Sequence, residues 1–151
     1  MRFWINRRTD YAIRVILGLA KYPPGTRIAA QQLSEDMLIP LSLLYSLLKD
    51  LIRAKLVKTY PGPKGGLELA RPADQITLRD VIEAMDRLPQ VSECVTEPGV
   101  CPFANACPVR RRWARIHRLV LRELERTTFA DLVKETKQPF STGRWEISTE
   151  V

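Results

Sequence analysis

Apolar positions at helical spacing predict three helices in the first part of the chain. The first helix carries its apolar positions at Tyr11, Val15, Ile16, Leu19 and Ala20. Thr9 or Asp10 is predicted as its N-cap, and the Pro-Pro-Gly sequence at 23–25 ends it. A short helix over 29–37 and a further helix over 41–53 follow. Two helices joined by a tight turn in this way predict a helix-turn-helix.

The spacing of apolar residues changes from helical to alternating after this helix pair. Residues 56–60 and 66–69 alternate as two strands do, and the glycines within 61–65 permit a turn between them. A hairpin placed directly after a helix-turn-helix is typical of a wing. Thr77 and Asp80 then form a capping-box pattern in front of one further amphipathic helix. The pattern therefore predicts a winged helix-turn-helix head.

All three cysteines fall in a segment without helical or strand periodicity. Residues 88–108 contain four prolines and one glycine, and they are predicted to form a loop. Apolar residues then recur at steps of four, three, four and four, at Val109, Trp113, Ile116, Val120 and Leu124. This spacing predicts a long helix, and Thr128 with Asp131 predicts a short helix after it.

These elements predict a mainly α fold in four parts. Residues 1–87 form the winged head, residues 88–108 the cysteine-bearing loop, and residues 109–136 a long C-terminal helix with a short closing helix. Residues 137–151 are expected to be a mobile tail. The length of 151 residues is about that of one domain.

The charge of the chain indicates an anionic partner. Its formal net charge is +7, and the balance is uneven along the sequence. Residues 1–60 hold 10 basic residues (Lys or Arg) and 4 acidic residues (Asp or Glu). Residues 61–109 hold 4 basic and 7 acidic residues, and residues 110–151 hold 10 basic and 6 acidic residues. A basic surface attracts polyanions by releasing their counterions, so nucleic acid is the expected partner and an anionic membrane surface the second candidate.

Membrane insertion and export are not expected from this sequence. No uncharged apolar run approaches the roughly 18 residues of a membrane span, and the start of the chain lacks the apolar stretch of a signal peptide. We therefore expect a soluble, cytoplasmic protein. A cytoplasmic chain keeps its thiols reduced, so the three cysteines are not expected to form a disulfide scaffold.

The second helix of a helix-turn-helix is the element that enters the major groove of DNA. The side chains opposite its apolar stripe can reach bases or phosphates, and here they are Ser42, Tyr45, Ser46 and Lys49. Basic side chains of the wing and of the first helix are predicted to contact the DNA backbone, namely Lys58, Lys64, Arg7, Arg8 and Arg14. Charge would position the protein, and few side chains would read the bases.

Cys94, Cys101 and Cys107 are spaced as C-x6-C-x5-C in the predicted loop. Soft thiolate ligands suit an iron-sulfur cluster, and zinc accepts them as well. Structural zinc prefers four protein ligands with closely spaced cysteine pairs, which this sequence lacks, so a cluster is favoured. The single histidine, His117, is either a ligand or a packing residue of the long helix.

Several short motifs, taken in order, resemble those of one regulator family. They are Thr9-Asp10-Tyr11-Ala12-Ile13-Arg14, Gly62-Pro63-Lys64-Gly65-Gly66, Ile76-Thr77-Leu78, Cys101-Pro102-Phe103-Ala104-Asn105-Ala106-Cys107 and Thr128-Phe129-Ala130-Asp131-Leu132-Val133. Over residues 9–134 the chain is similar to the IscR/NsrR (Rrf-two) family of transcriptional regulators. The resemblance implies a homodimer on a palindromic operator of double-stranded DNA. The long helix over 109–127 would be the dimerisation helix, and the half-sites would lie about 34 Å apart.

The resemblance also bears on the fourth ligand of the cluster. In the IscR branch a histidine follows the third cysteine by three residues, and this chain has Arg110 there, which argues against a histidine-completed 2Fe-2S site. In the NsrR branch an aspartate that matches Asp10 completes a 4Fe-4S cluster from the partner protomer. The resemblance therefore favours 4Fe-4S over 2Fe-2S, with Asp10 as the fourth ligand. Asp10 is equally a candidate N-cap, and one residue could serve both purposes.

The combined expectation is a DNA-binding transcriptional regulator, a repressor that senses nitric oxide, redox state or iron-sulfur status through its cluster. A metal-free thiol switch on the same cysteines is the first alternative. A small iron-sulfur carrier is the second, although carriers usually hold their clusters with four cysteines. The sequence has neither a Ser/His/Asp arrangement nor a phosphate-binding glycine loop, so an enzyme is not expected.

Overall fold

The fold is mainly helical and carries a two-stranded antiparallel sheet. The computed structural model describes residues 5–136, and the mobile tail expected over 137–151 lies outside them. In chain order the elements are α1 (Arg7–Ala20), α2 (Ala30–Asp36), α3 (Leu41–Arg53), β1 (Val57–Tyr60), β2 (Gly66–Leu69), a 3-10 turn (Ala73–Gln75), α4 (Leu78–Met85), α5 (Glu93–Thr96), α6 (Pro108–Arg126) and α7 (Phe129–Glu135). The predicted mainly α class is confirmed.

α1 begins about one turn earlier than its apolar pattern indicates. Its N-cap is Asn6, whose Oδ1 accepts the backbone N–H of Thr9 at 2.8 Å and the Thr9 hydroxyl at 3.1 Å. The prediction that Thr9 or Asp10 caps this helix is therefore wrong. The apolar stripe starts only at Tyr11, so the first turn bears no apolar position that would reveal it. Asp10 lies exposed in this turn, where its negative charge interacts favourably with the positive end of the helix dipole.

The turn between α2 and α3 is held by two hydrogen bonds that run in opposite directions. The backbone N–H of Ile39 donates to the carbonyl of Ser34 at 2.9 Å, and the Ser34 hydroxyl donates to the carbonyl of Ile39 at 2.6 Å. Leu38, with a φ of 52° and an exposed side chain, reverses the chain so that Ile39 enters the core. The predicted helix-turn-helix is confirmed.

β1 and β2 form the predicted wing, with Tyr60 opposite Gly66. Ile28, in the segment before α2, pairs with this hairpin through two hydrogen bonds to Leu67 of 2.9 and 2.8 Å. A Cβ atom on Gly66 would lie 2.8 Å from the Ile28 carbonyl oxygen, so this close approach requires glycine. The wing is thereby attached to the segment that leads into the helix-turn-helix.

The core of the head draws side chains from α1, α3, α4, α7 and the segments between them. Its completely buried members include Ala12, Val15, Ile16, Leu44, Leu47, Leu51, Ile76, Val81 and Phe129. The apolar stripe predicted for the second helix of the helix-turn-helix is thus the buried face of α3. α4 begins at the predicted capping box, in which Asp80 N–H donates to the Thr77 hydroxyl at 3.2 Å and Thr77 N–H donates to the Asp80 carboxylate at 2.9 Å.

The segment predicted as a loop contains a short helix. α5 forms one turn over Glu93–Thr96, and the N–H of Glu97 donates to the carbonyl of Glu93 at 2.8 Å. A single turn leaves no periodic pattern of apolar positions, which is why the sequence did not indicate it. No helix within residues 5–136 is both long and apolar enough to cross a membrane.

The chain returns to the head directly after α6. The backbone N–H of Leu78 donates to the carbonyl of Thr127 at 3.1 Å, and that of Phe129 donates to the carbonyl of Ile76 at 3.0 Å. The Phe129 side chain is completely buried in the core of the head. α6 itself spans 19 residues, none of them buried. These contacts therefore fix the C-terminal end of α6 on the head.

Replacing Phe129 with alanine is expected to lower the free energy of unfolding by about 3 to 5 kcal/mol, because the change leaves a cavity in the core. The matched control is Phe103→Ala, for which we expect less than about 0.5 kcal/mol because Phe103 is 73% exposed. Urea unfolding followed by circular dichroism measures both changes. Equal losses in the two variants would show that Phe129 does not anchor the chain to the head.

Candidate DNA interface and cysteine segment

The outer face of α3 carries the side chains that were predicted to read DNA. Ser42, Tyr45 and Lys49 are exposed, and Ser46 is half-buried. Tyr45 is the largest of them and is 54% exposed. The opposite face of α3 lies in the core, so these side chains point away from the body of the head. This face of α3 is open to solvent.

Arg8 is bound to α3 rather than free on the surface of α1. Its Nη1 donates to the Ser46 hydroxyl at 2.9 Å, and its Nη2 donates to the Ser46 carbonyl at 3.1 Å and to the Asp50 carboxylate at 2.9 Å. Asp50 also pairs with Arg53 at 3.2 Å. Arg8 and Ser46, two of the predicted DNA contacts, thus join α1 to the helix that was predicted to read DNA.

The remaining predicted backbone contacts are basic side chains around α3. Lys58 on β1, Lys64 at the wing tip and Arg7 in the first turn of α1 are all exposed. The guanidinium carbons of Arg7 and Arg14 lie 5.8 and 5.0 Å from the centre of the Tyr11 ring. Because α1 and β1 both pack on α3, positive charge borders the outer face of α3 on two sides.

One further basic side chain at the wing was not predicted. Arg27 lies between α1 and α2, its guanidinium carbon is 3.6 Å from the centre of the Tyr60 ring, and its Nη1 donates to the Lys64 carbonyl at 3.5 Å. The Tyr60 hydroxyl donates to a Glu68 carboxylate oxygen at 2.6 Å, and this hydrogen bond raises the pKa of Tyr60 above its ordinary value. Arg27 belongs to no periodic pattern, and only the pairing of Ile28 with β2 brings it to the wing.

A groove of about 360 Å³ separates α3 from the wing. Its lining is mostly apolar and includes Tyr45, Leu48, Ile52, Thr59 and Tyr60. The exposed face of α3 and the wing therefore border one concave surface.

The three cysteines are free thiols with partly exposed side chains. Cys94 lies in α5, where its Sγ is 3.2 Å from the Ser92 hydroxyl. Cys101 begins a turn in which its carbonyl accepts the N–H of Ala104 at 3.1 Å. Cys107 is the N-cap residue of α6. The thiols therefore follow the segment from α5 to the start of α6, and solvent reaches each of the three residues.

The donor set fits an iron-sulfur cluster in its chemistry, because three free thiols on one short segment are the soft ligands that iron prefers. Within residues 5–136, no group of three or more His, Cys, Asp or Glu side chains lies close enough together to hold a metal ion. The thiols thus do not converge in this arrangement. Binding of a cluster requires the segment that carries them to close around it.

The candidates for a fourth ligand have different surroundings. Arg110, which stands where one branch of the resembling family has a histidine, donates from Nε to the carbonyl of Cys94 at 2.8 Å. The carboxylate of Asp10 has no hydrogen bond or ion pair within residues 5–136. Asp10 does not cap α1, because Asn6 is the N-cap residue of that helix. His117 is half-buried on α6, and its Nδ1 has no hydrogen-bond partner in the described part of the chain.

α6 presents three different faces. One line is half-buried and holds Arg110, Ala114, His117 and Leu121. A second line is exposed and apolar and holds Val109, Trp113, Ile116 and Leu119. A third line is exposed and basic and holds Arg111, Arg115, Arg118 and Arg122. Much of the apolar spacing that predicted this helix therefore belongs to a surface that is open to solvent.

Nearly all of the described chain matches one protein family. A family model named Rrf2, described as an iron-dependent transcriptional regulator, matches residues 5–135. The chain belongs to the Rrf2 family. The resemblance of its motifs to the Rrf-two regulators is thereby confirmed, and the protein is a transcriptional regulator of this DNA-binding family.

Solved structures of Rrf2 regulators share the fold. CymR of B. subtilis, described as a global cysteine regulator, is 25% identical, and the match covers 89% of this chain and 98% of that chain with a TM-score of 0.74. IscR of T. potens is 21% identical over 87% of each chain, with a TM-score of 0.69. CymR of Staphylococcus aureus is 22% identical over 88% of this chain and 100% of that chain, with a TM-score of 0.66. These likenesses confirm the winged helix-turn-helix fold.

Replacing Arg8 with alanine is expected to lower the free energy of unfolding by about 1 kcal/mol, because a partly exposed ion pair and two hydrogen bonds between α1 and α3 are lost. Arg7→Ala, its neighbour on α1, is the control, with an expected change below about 0.5 kcal/mol. Urea unfolding measures both.

The salt dependence of DNA binding separates the two roles of Arg8. If Arg8 supports α3 without touching DNA, the slope of log affinity against log salt stays the same in Arg8→Ala. A phosphate contact would instead reduce that slope by about 0.9. Unchanged stability together with a reduced slope would contradict the supporting role.

Proposed function

We propose that this Rrf2 protein is a homodimeric, cytoplasmic repressor that binds a palindromic operator. It would release that operator when an iron-sulfur cluster on its cysteines reacts with nitric oxide or an oxidant. Each head would place α3 in the major groove, with Ser42, Tyr45 and Lys49 towards the bases and Lys58 and Lys64 towards phosphates. The net charge of +7 supports a polyanionic partner.

The observation that carries this proposal is the position of α6 between the cysteine segment and the head. At its N-terminal end, Arg110 donates to the carbonyl of Cys94, and Cys107 occupies the N-cap position. At its C-terminal end, Thr127 and Phe129 are hydrogen-bonded to the head. A rearrangement of the cysteine segment therefore acts on one end of a helix whose other end is attached to the DNA-binding part. Allostery requires a physical coupling of this kind between two sites.

Cys94, Cys101 and Cys107 would hold the cluster, with Asp10 of the partner subunit as the fourth ligand. Arg110 cannot take the place of a histidine ligand, because a guanidinium group stays protonated and only donates hydrogen bonds. The exposed carboxylate of Asp10 caps no helix and is available as a ligand, and the resemblance to the NsrR branch favours the 4Fe-4S form over 2Fe-2S. When bound, such a cluster supplies an oxygen-ligated iron at which an oxidant or nitric oxide can react.

The partner subunit is expected on the exposed apolar line of α6. Val109, Trp113, Ile116 and Leu119 lie open to solvent in the single chain. Contiguous apolar surface of this kind is typical of an interface, and its removal from water favours association with a second copy. Two α6 helices would then cross beside the two cysteine segments.

A metal-free thiol switch is the second candidate function. The free, partly exposed thiols favour it, as does their lack of a common point of convergence within residues 5–136. Among the structural relatives, CymR of Staphylococcus aureus has also been solved in an oxidized form. In this alternative, two thiols would give up two electrons and two protons to an oxidant and form a disulfide that rearranges the segment.

Iron analysis separates the two candidate functions. Protein purified without oxygen is expected to be brown and to contain about four iron and four sulfide ions per chain. The alanine variants of the three thiol ligands are each expected to lose the colour, namely Cys94→Ala, Cys101→Ala and Cys107→Ala. Ser92→Ala is the control within the same segment and should stay brown. Asp10→Ala should lose iron faster in air, whereas Glu97→Ala, its acidic control, should not. A colourless, iron-free protein would reject the cluster.

The same preparation tests the coupling to DNA. The probe is a duplex selected by the iron-loaded protein from a library of random sequences. Removal of iron with a chelator is expected to change the affinity for this duplex at least about fivefold. Identical footprints and affinities with and without iron would falsify the coupling, although not the DNA binding itself.

A charge in the apolar line of α6 is expected to separate the subunits. Ile116→Glu should convert the dimer to monomers, because a carboxylate would have to be buried without a partner. Arg111→Glu makes a larger charge change on the basic line of the same helix and should remain dimeric. Light scattering after size-exclusion chromatography measures the molar mass. A dimeric Ile116→Glu protein would show that the subunits meet elsewhere.

A further inference from the structure

Four side chains meet on the outer face of the wing, and only one of them, Lys58, is among the DNA contacts proposed above. Successive side chains of a strand alternate between its two faces, so Lys58 and Tyr60 of β1 share one face. Glu68 of β2 pairs with Lys58 and lies on that face as well. Arg27 stacks on Tyr60 from the neighbouring segment. Two cations, a ring and a carboxylate thus meet on one side of the wing.

Arg27 keeps most of its hydrogen-bonding capacity in this arrangement. At 3.6 Å from the centre of the Tyr60 ring, the guanidinium group uses its flat face, whereas its N–H donors lie along its edges. Within residues 5–136, Nη1 makes a long hydrogen bond of 3.5 Å to the Lys64 carbonyl, and the guanidinium group also interacts with the Tyr60 hydroxyl. The side chain is exposed. A partner that meets the wing can therefore still be bound through the free edge.

Tyr60 and Glu68 hold the guanidinium group in one orientation. The Tyr60 hydroxyl donates to Glu68 at 2.6 Å, which fixes the ring and directs the carboxylate towards the hydroxyl. A free arginine loses considerable rotamer freedom when it is bound, and stacking on a fixed ring reduces that loss. The hydrogen bond to Lys64 also places the group beside the wing tip, where a phosphate contact was predicted.

We propose that Arg27 is a DNA-contacting residue of the wing, positioned by Tyr60 and Glu68, and that it binds a backbone phosphate next to the one reached by Lys64. A phosphate fits because the fork of an arginine binds two of its oxygens at once. Such a contact carries no sequence information and serves to position the head on the duplex. The inference rests on the DNA binding proposed above.

The contact is tested with the duplex selected by the wild-type protein. Arg27→Ala is expected to bind it about five- to tenfold more weakly, with a salt slope reduced by about 0.9 because one phosphate contact is lost. Arg27→Lys should keep the slope but recover only part of the affinity, since lysine cannot bind two oxygens in a fork. Arg122→Ala, which removes one exposed charge from the C-terminal half of α6, is the control and should bind as the wild type does.

A double-mutant cycle tests the positioning role of Tyr60. Tyr60→Leu removes the ring and is expected to weaken binding several-fold at an unchanged salt slope, whereas Tyr60→Phe keeps the ring and most of the affinity. In the Arg27→Ala background, Tyr60→Leu should have no further effect, because the side chain that the ring positions is gone. Urea unfolding of each variant shows that the heads remain folded.

The outcomes distinguish this inference from the function on which it rests. A wild-type protein that selects no duplex removes the proposed DNA binding. A wild-type protein that binds, together with an Arg27→Ala variant of equal affinity and slope, overturns the Arg27 contact alone. Equal losses from Tyr60→Leu in both backgrounds show that Tyr60 does not act through Arg27, and they overturn its positioning role.

Discussion

The attachment of residues 127–129 to the head is the contact on which the rest of the arrangement depends. Phe129 is completely buried, and hydrogen bonds of Thr127 and of Phe129 itself tie the chain to Leu78 and Ile76. α6 contacts α4 and α5 but has no completely buried residue, so Phe129 is the deepest anchor next to its C-terminal end. A helix free at that end could pivot without moving the head. Because the end is attached, a displacement of the cysteine segment has a direct route to the DNA-binding elements.

The route from α6 to α3 is continuous. α7, which begins at Phe129, packs on α1, and α1 packs on α3. The contact between α1 and α3 includes the three hydrogen bonds that Arg8 donates to Ser46 and Asp50. Arg8 is therefore a link in this route, whatever it contributes to DNA binding. Continuity alone is a spatial argument, and coupling is established when a change at one end alters binding at the other.

The elements that face the core and the caps at Thr77 and Thr128 could be predicted from the sequence, and the other contacts between polar side chains could not. Helical and alternating spacing indicated the helices and strands of the head because burial imposes a period on apolar residues. Asn6, α5 and Arg27 lie outside any such period, so no pattern announced the cap, the one-turn helix or the cation at the wing. Arg8 was predicted to contact DNA, and its pairing with Asp50 was not predicted, because a sequence does not show which acid a distant base will meet.

The proposed cluster site explains why an arginine can replace a histidine in the first turn of α6. A thiolate-ligated group is anionic, and Arg110, Arg111 and Arg112 together with the positive end of the helix make this region favourable for an anion. Arg110 does not compete for iron, because its Nε is engaged by the carbonyl of Cys94 and its charge is permanent. In the proposed site, Arg110 would therefore stabilise the thiolates without ligating iron, and the fourth position would fall to a carboxylate from outside the segment.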